Sequence, residues 1–142
     1  MVLPDVNVLI YAFRRESARH AEYKEWLLRT ANAPEGFALC DLVLSGFVRG
    51  LTHPRIFQDP ESAESAFACI EPLLARPNCV RISPGPRHWS IFQGLCRQVE
   101  AKGNLVADAY LAALAIESGC EWITTDRDYA RFPGLRWRHP LG

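Results

Sequence analysis

Short apolar runs alternate along the chain with longer segments in which apolar residues recur at helical spacing. The runs fall at residues 2–4, 37–40, 80–82, 121–124 and 135–137, and each has the length of a short buried strand. A connection between parallel strands needs a dozen or more residues, usually a helix, so this alternation is typical of a parallel sheet with helices on both faces. The pattern therefore predicts an α/β fold.

End signals place the predicted helices between these runs. Asp41 is positioned to cap the helix Leu42–Leu51, because aspartate is a favoured N-cap. Pro60 suits the first turn of a helix that continues to about Ala75. Further helices are predicted at 6–13, 20–29, 89–99, 105–117 (ended by Gly119) and, as a short helix, 127–132.

Length and composition favour one globular domain over residues 1–142. The chain has 142 residues, of which 49% are hydrophobic, and a domain of this size buries enough surface to fold without a disulfide or a metal. Its 16 basic and 16 acidic residues give a net charge of zero. This balance excludes a protein that coats nucleic acid by bulk electrostatics, because counterion release needs a concentrated basic surface.

Cysteine usage and hydropathy indicate a soluble cytoplasmic protein with no membrane partner. Five cysteines lie scattered without a C-x-x-C pair, as is typical of reduced thiols packed in a cytosolic protein. No stretch approaches the roughly 20 apolar residues of a membrane span, and no basic segment precedes an apolar stretch at the N-terminus.

Three acidic residues fall where a parallel sheet would bring them together. Asp5 and Asp126 each follow a predicted strand, and Asp108 lies near the start of an apolar helix. Carboxyl ends of strands and amino ends of helices share one edge of such a sheet. A divalent cation would relieve the mutual repulsion of these carboxylates, and an all-oxygen ligand set favours Mg²⁺ or Mn²⁺. Such a metal polarises a phosphoryl oxygen and activates water, which is the chemistry of phosphodiester hydrolysis.

Each acid also has a structural interpretation that does not involve a metal. Asp5 would cap the first helix, and Asp126 or Asp128 would cap the short helix that follows. Asp108 fits such an interpretation least well, because burying an acid among Ala, Leu and Tyr costs free energy unless it has a partner.

Several motifs, in order along the whole chain, carry a family resemblance. They are Asp5-Val-Asn7, the segments 45–54 (SGFVRGLTHP) and 108–112 (DAYLA), the segment 124–132 (TTDRDYARF) and the ending 133–137 (PGLRW). With these motifs the sequence resembles PIN-domain ribonucleases, specifically the VapC-type toxins of type II toxin–antitoxin systems.

The resemblance implies a three-layer α/β/α sandwich around a parallel sheet of about five short strands. It also implies an acidic pocket that binds Mg²⁺ or Mn²⁺ and cuts RNA, expected to be tRNA or rRNA, so that translation is inhibited. A cognate VapB-type antitoxin that neutralises the toxin, and a homodimer, are expected on the same ground.

The family's functional positions map onto a small set of polar residues. The resemblance makes Asp5, Asp108 and Asp126 the catalytic, metal-binding acids, with Asp128 as a further candidate metal ligand, and gives Asn7, Thr124 and Thr125 the task of orienting these carboxylates.

One position departs from the family pattern. Many PIN domains carry a further acid, usually Glu, where this chain has Gly46. Asp41 lies five residues earlier, which is about 140° away around a helix. Either the site binds its metal weakly, or Asp128 or Asp41 compensates.

Arginine dominates the basic residues, since Lys24 and Lys102 are the two lysines and the other 14 are arginine. Arginine suits bidentate contacts to phosphate. Four arginines near the predicted edge are candidate RNA contacts, with solvated surface as the alternative: Arg14, Arg49, Arg127 and Arg131.

Two other functions stay open at this point. Gly46 is compatible with a catalytically weak PIN fold that binds RNA or protein without cleaving it. A phosphatase of the aspartyl-phosphate type is less favoured, because its second Asp would stand where this chain has Asn7.

Overall fold

Five strands, each parallel to its neighbours, form the sheet at the centre of the computed structural model, which describes residues 1–142. The sheet order is β3-β2-β1-β4-β5. The strands are β1 (Val2–Pro4), β2 (Phe37–Cys40), β3 (Cys79–Ile82), β4 (Glu121–Ile123) and β5 (Trp137–Arg138). The structure thus confirms the predicted parallel α/β sheet.

Helices cover both faces of this sheet. They are α1 (Val6–Phe13), α2 (His20–Asn32), α3 (Asp41–Thr52), α4 (Ala63–Leu74), α5 (His88–Val99), α6 (Asn104–Ser118) and a 3₁₀ helix at Arg127–Arg131. All four side chains of β2 are buried, and successive side chains of a strand point to opposite faces, so both faces are covered. The three-layer arrangement is therefore as expected. No helix combines the length and the apolar composition needed to span a bilayer.

Most boundaries differ from the prediction by one to three residues, and three of the differences have a local reason or change an element. Helix α3 begins at Asp41 itself, with Cys40 as its cap residue, and the Asp41 side chain pairs with Arg81 instead of capping the helix. Helix α4 begins at Ala63 rather than at Pro60, since the Ser62 hydroxyl accepts the backbone N–H of Ser65 at 3.1 Å. The last strand spans Trp137–Arg138 rather than residues 135–137.

The sheet order reverses direction beside β1. From β1 the chain proceeds to β2 and β3 on one side, whereas β4 and β5 lie on the other. Pro4 pairs with Ile123, and the next backbone N–H, that of Asp5, donates to the Ile123 carbonyl at 2.8 Å. In open α/β sheets, ligands bind outside the carboxyl ends of strands at such a reversal. Asp5 and Thr124 lie there.

Two glycines of α3 allow that helix to pack closely on α1. A Cβ built on Gly46 would lie 2.7 Å from Cγ2 of Val6, and one built on Gly50 would overlap Cδ1 of Ile10. Both pairs are four residues apart on their helices, so the contact follows one face of each helix. A side chain at position 46 would therefore require Val6 to move or α1 and α3 to shift apart, and glycine fits their close approach.

We expect Gly46→Ala to lower the free energy of unfolding by about 1 kcal/mol. Overpacking costs about 1–3 kcal/mol, while alanine gains about 1 kcal/mol in helix propensity over glycine. In a Val6→Ala background, which removes the obstructing methyl, the same substitution is expected to be neutral or to stabilise by up to about 1 kcal/mol. Urea denaturation of the four proteins in this cycle measures the coupling.

Gly94→Ala on α5 is the matched control, because a Cβ at Gly94 meets no atom within 4 Å. It is expected to stabilise the protein in either background. An equal effect of Gly46→Ala with and without Val6 would contradict the close packing of α1 on α3.

Candidate active site

Asp5 is a buried carboxylate at the carboxyl end of β1, with 8% of its surface exposed. Its Oδ1 accepts the backbone N–H of Val6 at 2.7 Å, which caps α1. Its Oδ2 accepts the hydroxyl of Thr124 at 2.7 Å. Thr124 is fully buried and directly follows β4. Asp5 thus caps a helix and also joins two strand ends, so its structural and functional interpretations are compatible.

Asp126 is tied to the same threonine. Its backbone N–H donates to the Thr124 hydroxyl oxygen at 3.0 Å. Its Oδ1 accepts the N–H of Asp128 at 2.9 Å and so caps the 3₁₀ helix. The Thr124 hydroxyl therefore fixes Asp5 and Asp126 relative to each other.

Asp108 reaches this group from the second turn of α6. Its Oδ1 accepts the hydroxyl of Tyr129 at 3.2 Å. Tyr129 is 2% exposed and lies in the 3₁₀ helix that Asp126 caps. The structure thus brings together the three acids that the sequence singled out; we call Asp5, Asp108 and Asp126 the acidic cluster.

Burial and repulsion by neighbouring acids both disfavour ionisation of Asp5 and Asp108. Burial raises the pKa of Asp5; hydrogen bonds from Thr124 and Val6 lower it, and the charges of Asp108 and Asp126 raise it. Burial also raises the pKa of Asp108, against the Tyr129 hydrogen bond. No lysine or arginine forms an ion pair with these acids. The cluster is therefore a set of like charges without a protein cation.

The chemistry of these donors fits a hard divalent cation. The cluster offers carboxylate oxygens with neither histidine nor cysteine among them, as Mg²⁺ and Mn²⁺ prefer. As they stand, the three side chains do not form a three-ligand metal site, although the charges of Asp108 and Asp126 are near enough to raise the pKa of Asp5. A cation would have to draw them together, and in doing so would neutralise their repulsion.

Asp128 lies closer to the cluster than the other candidate acid does. Its charge raises the pKa of Asp108, although its own side chain is exposed. Asp41 is exposed and ion-paired with Arg81. Of the two acids considered as compensation for Gly46, Asp128 is therefore the one near Asp108.

Two of the predicted orienting residues do not hydrogen-bond Asp5 or Asp108. Asn7 is exposed, and neither Asn7 nor Thr125 is among the groups that hydrogen-bond Asp5 or Asp108. Of the three predicted orienting residues, only Thr124 makes such a bond, to Asp5. The reason is geometric, since Thr124 continues β4 beside Asp5 whereas Asn7 already lies in the first turn of α1.

Arg14 is not placed to contact RNA, which corrects the sequence-based expectation. It follows α1 at the end opposite Asp5, about 12 Å along the helix axis, and is 7% exposed. Its Nη2 donates to the Asp59 carbonyl at 2.6 Å, and its Nε lies 2.8 Å from the Glu16 carboxylate. Arg14 therefore anchors the segment after α3.

The other three candidate arginines are exposed. Arg127 and Arg131 lie in the 3₁₀ helix between Asp126 and the chain end. Arg49 lines a cavity of about 590 Å³ between α3 and α4, which Arg81 also lines. These three side chains are available to a ligand in solution.

Tyr129 is the residue of this site that sequence reasoning did not single out. An aromatic residue in a short helix is more often part of the core, and the Tyr129 ring does pack on Trp122 and Phe132. The spacing along the chain could have identified Tyr129, because a residue three positions after the N-cap Asp126 lies on the same side of the short helix as Asp126.

Comparisons with known proteins identify relatives over nearly the whole chain. A family model described as the PIN domain matches residues 2–135. Ribonuclease VapC43 of Mycobacterium tuberculosis is 48% identical over 141 residues, which cover 99% of this chain and 96% of that protein.

Solved structures show the same fold. A chain of VapBC2 from Rickettsia felis, bound to a promoter DNA fragment, matches with a TM-score of 0.70 and 19% identity over 98% of both chains. A chain of a toxin–antitoxin complex from Klebsiella pneumoniae matches with a TM-score of 0.63 and 21% identity, covering 99% of this chain and 98% of that chain.

We expect Asp108→Asn to raise the thermal unfolding midpoint of the metal-free protein at pH 7. The amide keeps an oxygen that accepts the Tyr129 hydroxyl but removes a repelled charge. The pKa of Asp108 is higher in the folded than in the unfolded protein, so the folded state binds the carboxyl proton more tightly. The free energy of unfolding of wild type therefore falls as pH rises from the unfolded pKa of about 3.9 through the raised folded pKa. Thermal unfolding is measured in EDTA from pH 4 to pH 7. The midpoint of Asp108→Asn is expected to exceed that of wild type by a margin that grows with pH.

Asp41→Asn is the control, because Asp41 is an exposed acid outside the cluster and its ion pair contributes at most about 1 kcal/mol. A lower midpoint for Asp108→Asn than for wild type at pH 7 would show that repulsion does not dominate at Asp108.

Proposed function

This chain is a member of the PIN-domain family, and from that premise we propose that it is a VapC-type endoribonuclease toxin whose cleavage depends on Mg²⁺ or Mn²⁺. We propose further that one PIN domain comprises residues 1–142. The observation that carries the proposal is the acidic cluster, in which a carboxylate that is 8% exposed lies beside two further acids without a cationic partner.

In the proposed site, Asp5, Asp108 and Asp126 hold the cation, with Asp128 next to them. A divalent cation supplies positive charge for a phosphoryl group and lowers the pKa of the attacking water. The chain contributes orientation: Thr124 holds Asp5 and Asp126 through one hydroxyl. Helix capping explains Asp5 and Asp126, but it does not explain why Asp108 extends toward them from α6.

The proposed substrate is RNA, with tRNA or rRNA as the expected target and inhibition of translation as the consequence. A net charge of zero leaves no surplus for general polyanion binding, so contacts to phosphate have to be local. Exposed arginines suited to such contacts lie next to Asp126, at Arg127 and Arg131, and more distantly at Arg49.

The proposed protein partners follow from the relatives. A VapB-type antitoxin is expected to neutralise the chain, in keeping with its likeness to a chain of a toxin–antitoxin complex. A homodimer is proposed on the same family ground.

We expect Asp5→Asn to reduce RNA cleavage roughly 100-fold or more. Loss of a metal ligand removes several kcal/mol of transition-state stabilisation, and each 1.36 kcal/mol corresponds to about tenfold in rate. The measurement is the cleavage of a mixed tRNA and rRNA substrate in Mg²⁺, in Mn²⁺ and in EDTA. Sequencing the new RNA ends then identifies the target.

Asp41→Asn is the matched control and is expected to cleave like wild type, because its carboxylate pairs with Arg81 away from the cluster. Equal cleavage by Asp5→Asn and wild type, or undiminished cleavage in EDTA, would contradict metal-dependent cleavage at this site. RNA binding without any cleavage by wild type would favour the alternative, a binding module.

We expect Arg127→Ala and Arg131→Ala each to weaken RNA binding and to reduce the salt dependence by roughly one phosphate contact. Affinity is measured across a salt series in an Asp5→Asn background, so that the RNA stays intact. Arg87→Ala serves as the control, because Arg87 is exposed beside Glu117, at the far end of α6 from Asp108. An equal loss of RNA affinity in all three variants would contradict a specific role of the 3₁₀ helix in binding RNA.

A further inference from the structure

The hydroxyl of Tyr129 points into the acidic cluster from within the core. Its ring centroid lies 5.3 Å from that of Trp122 and 5.8 Å from that of Phe132, in tilted contacts. A phenylalanine would fill the same volume and make the same ring contacts. The packing therefore explains the ring but not the hydroxyl, which has to be accounted for by what it contacts.

That hydroxyl is the hydrogen-bond donor that Asp108 has in the folded protein. It donates to Oδ1 at 3.2 Å, and no other hydrogen bond reaches this carboxylate. Asp5, in contrast, is held from two sides by Val6 and Thr124. Without Tyr129, the Asp108 side chain would be fixed at its helix alone.

The position of Tyr129 is itself set by another acid of the cluster. The 3₁₀ helix begins at Asp126, whose Oδ1 accepts the N–H of Asp128, and the N–H of Tyr129 returns to the Asp126 carbonyl at 3.4 Å. Asp126 is in turn held by Thr124, which also holds Asp5. Hydrogen bonds therefore link Asp5 to Asp108 through the Thr124 hydroxyl, the Asp126 backbone and the Tyr129 side chain. Tyr129 makes the last of these bonds, to Asp108.

We propose that Tyr129 is a positioning residue that orients the Asp108 carboxylate, through the hydrogen bond to Oδ1, for binding a divalent cation. The proposal rests on the metal-dependent function proposed above. The hydroxyl engages one oxygen of Asp108 and leaves Oδ2 without a protein donor, so a cation can bind without displacing Tyr129. Groups that orient metal ligands in this way typically change metal affinity about 10- to 100-fold when removed.

The test is the Mn²⁺ affinity of Tyr129→Phe, measured on the full chain without RNA from the electron paramagnetic resonance signal of free Mn²⁺. We expect the dissociation constant to rise at least about tenfold. In cleavage assays, the Mn²⁺ concentration for half-maximal rate is expected to rise by the same factor. The rate at saturating Mn²⁺ is expected to return close to that of wild type, because the cation itself then holds Asp108.

Tyr23→Phe is the matched control, since Tyr23 is a similarly buried tyrosine on α2 whose ring packs on Tyr11 and His139. It is expected to leave Mn²⁺ affinity unchanged. Thermal unfolding in EDTA checks that all variants are folded at the temperature of the binding experiment.

The outcomes separate the two proposals. If wild type cleaves RNA with Mn²⁺ and Tyr129→Phe binds Mn²⁺ as tightly as wild type, the positioning role is overturned while the nuclease proposal stands. A lower unfolding midpoint with unchanged Mn²⁺ affinity also overturns the positioning role, because the hydroxyl is then purely structural. If wild type neither binds Mn²⁺ nor cleaves RNA, the metal-dependent function fails, and the role of Tyr129 fails with it.

Discussion

The hydrogen bond from the Thr124 hydroxyl to the buried Asp5 carboxylate joins the carboxyl ends of β1 and β4, where the sheet order reverses. The same hydroxyl accepts the N–H of Asp126, so two acids are held through one side chain. The charge of Asp126 disfavours ionisation of Asp5. These hydrogen bonds and the register of the sheet hold the two acids near each other despite this repulsion. The rest of the site is arranged around this bond.

The packing of α1 on α3 limits what else the site can contain. Gly46 and Gly50 let the two helices approach so closely that Val6 and Ile10 occupy the space a larger side chain would need. A fourth acid at position 46 would therefore require Val6 to move. Of the acids outside the cluster, Asp128 is the one that lies near Asp108; it is at the surface and belongs to the same 3₁₀ helix as Tyr129.

The net charge of zero does not mean that acidic and basic residues are evenly mixed over the structure. The balance of 16 basic and 16 acidic residues includes an acidic cluster at one edge of the sheet and exposed arginines in the 3₁₀ helix that follows Asp126. Arg14 shows why position along the chain is not sufficient. It lies nine residues after Asp5, yet a helix carries it to the opposite end of α1, where it becomes a buried structural cation.

The sequence by itself determined the elements and the three acids, because hydrophobic period and end signals act over a few residues. It predicted β2 at 37–40 and placed Asp5, Asp108 and Asp126 at one edge of a parallel sheet. Tertiary structure decided the pairing of Asp41 with Arg81, the close approach of Val6 to Gly46 and the contact of Tyr129 with Asp108. Those contacts join residues on different elements, and the bond between Asp5 and Thr124 spans 119 positions. Their geometry is fixed by how helices and strands pack, which no local pattern encodes.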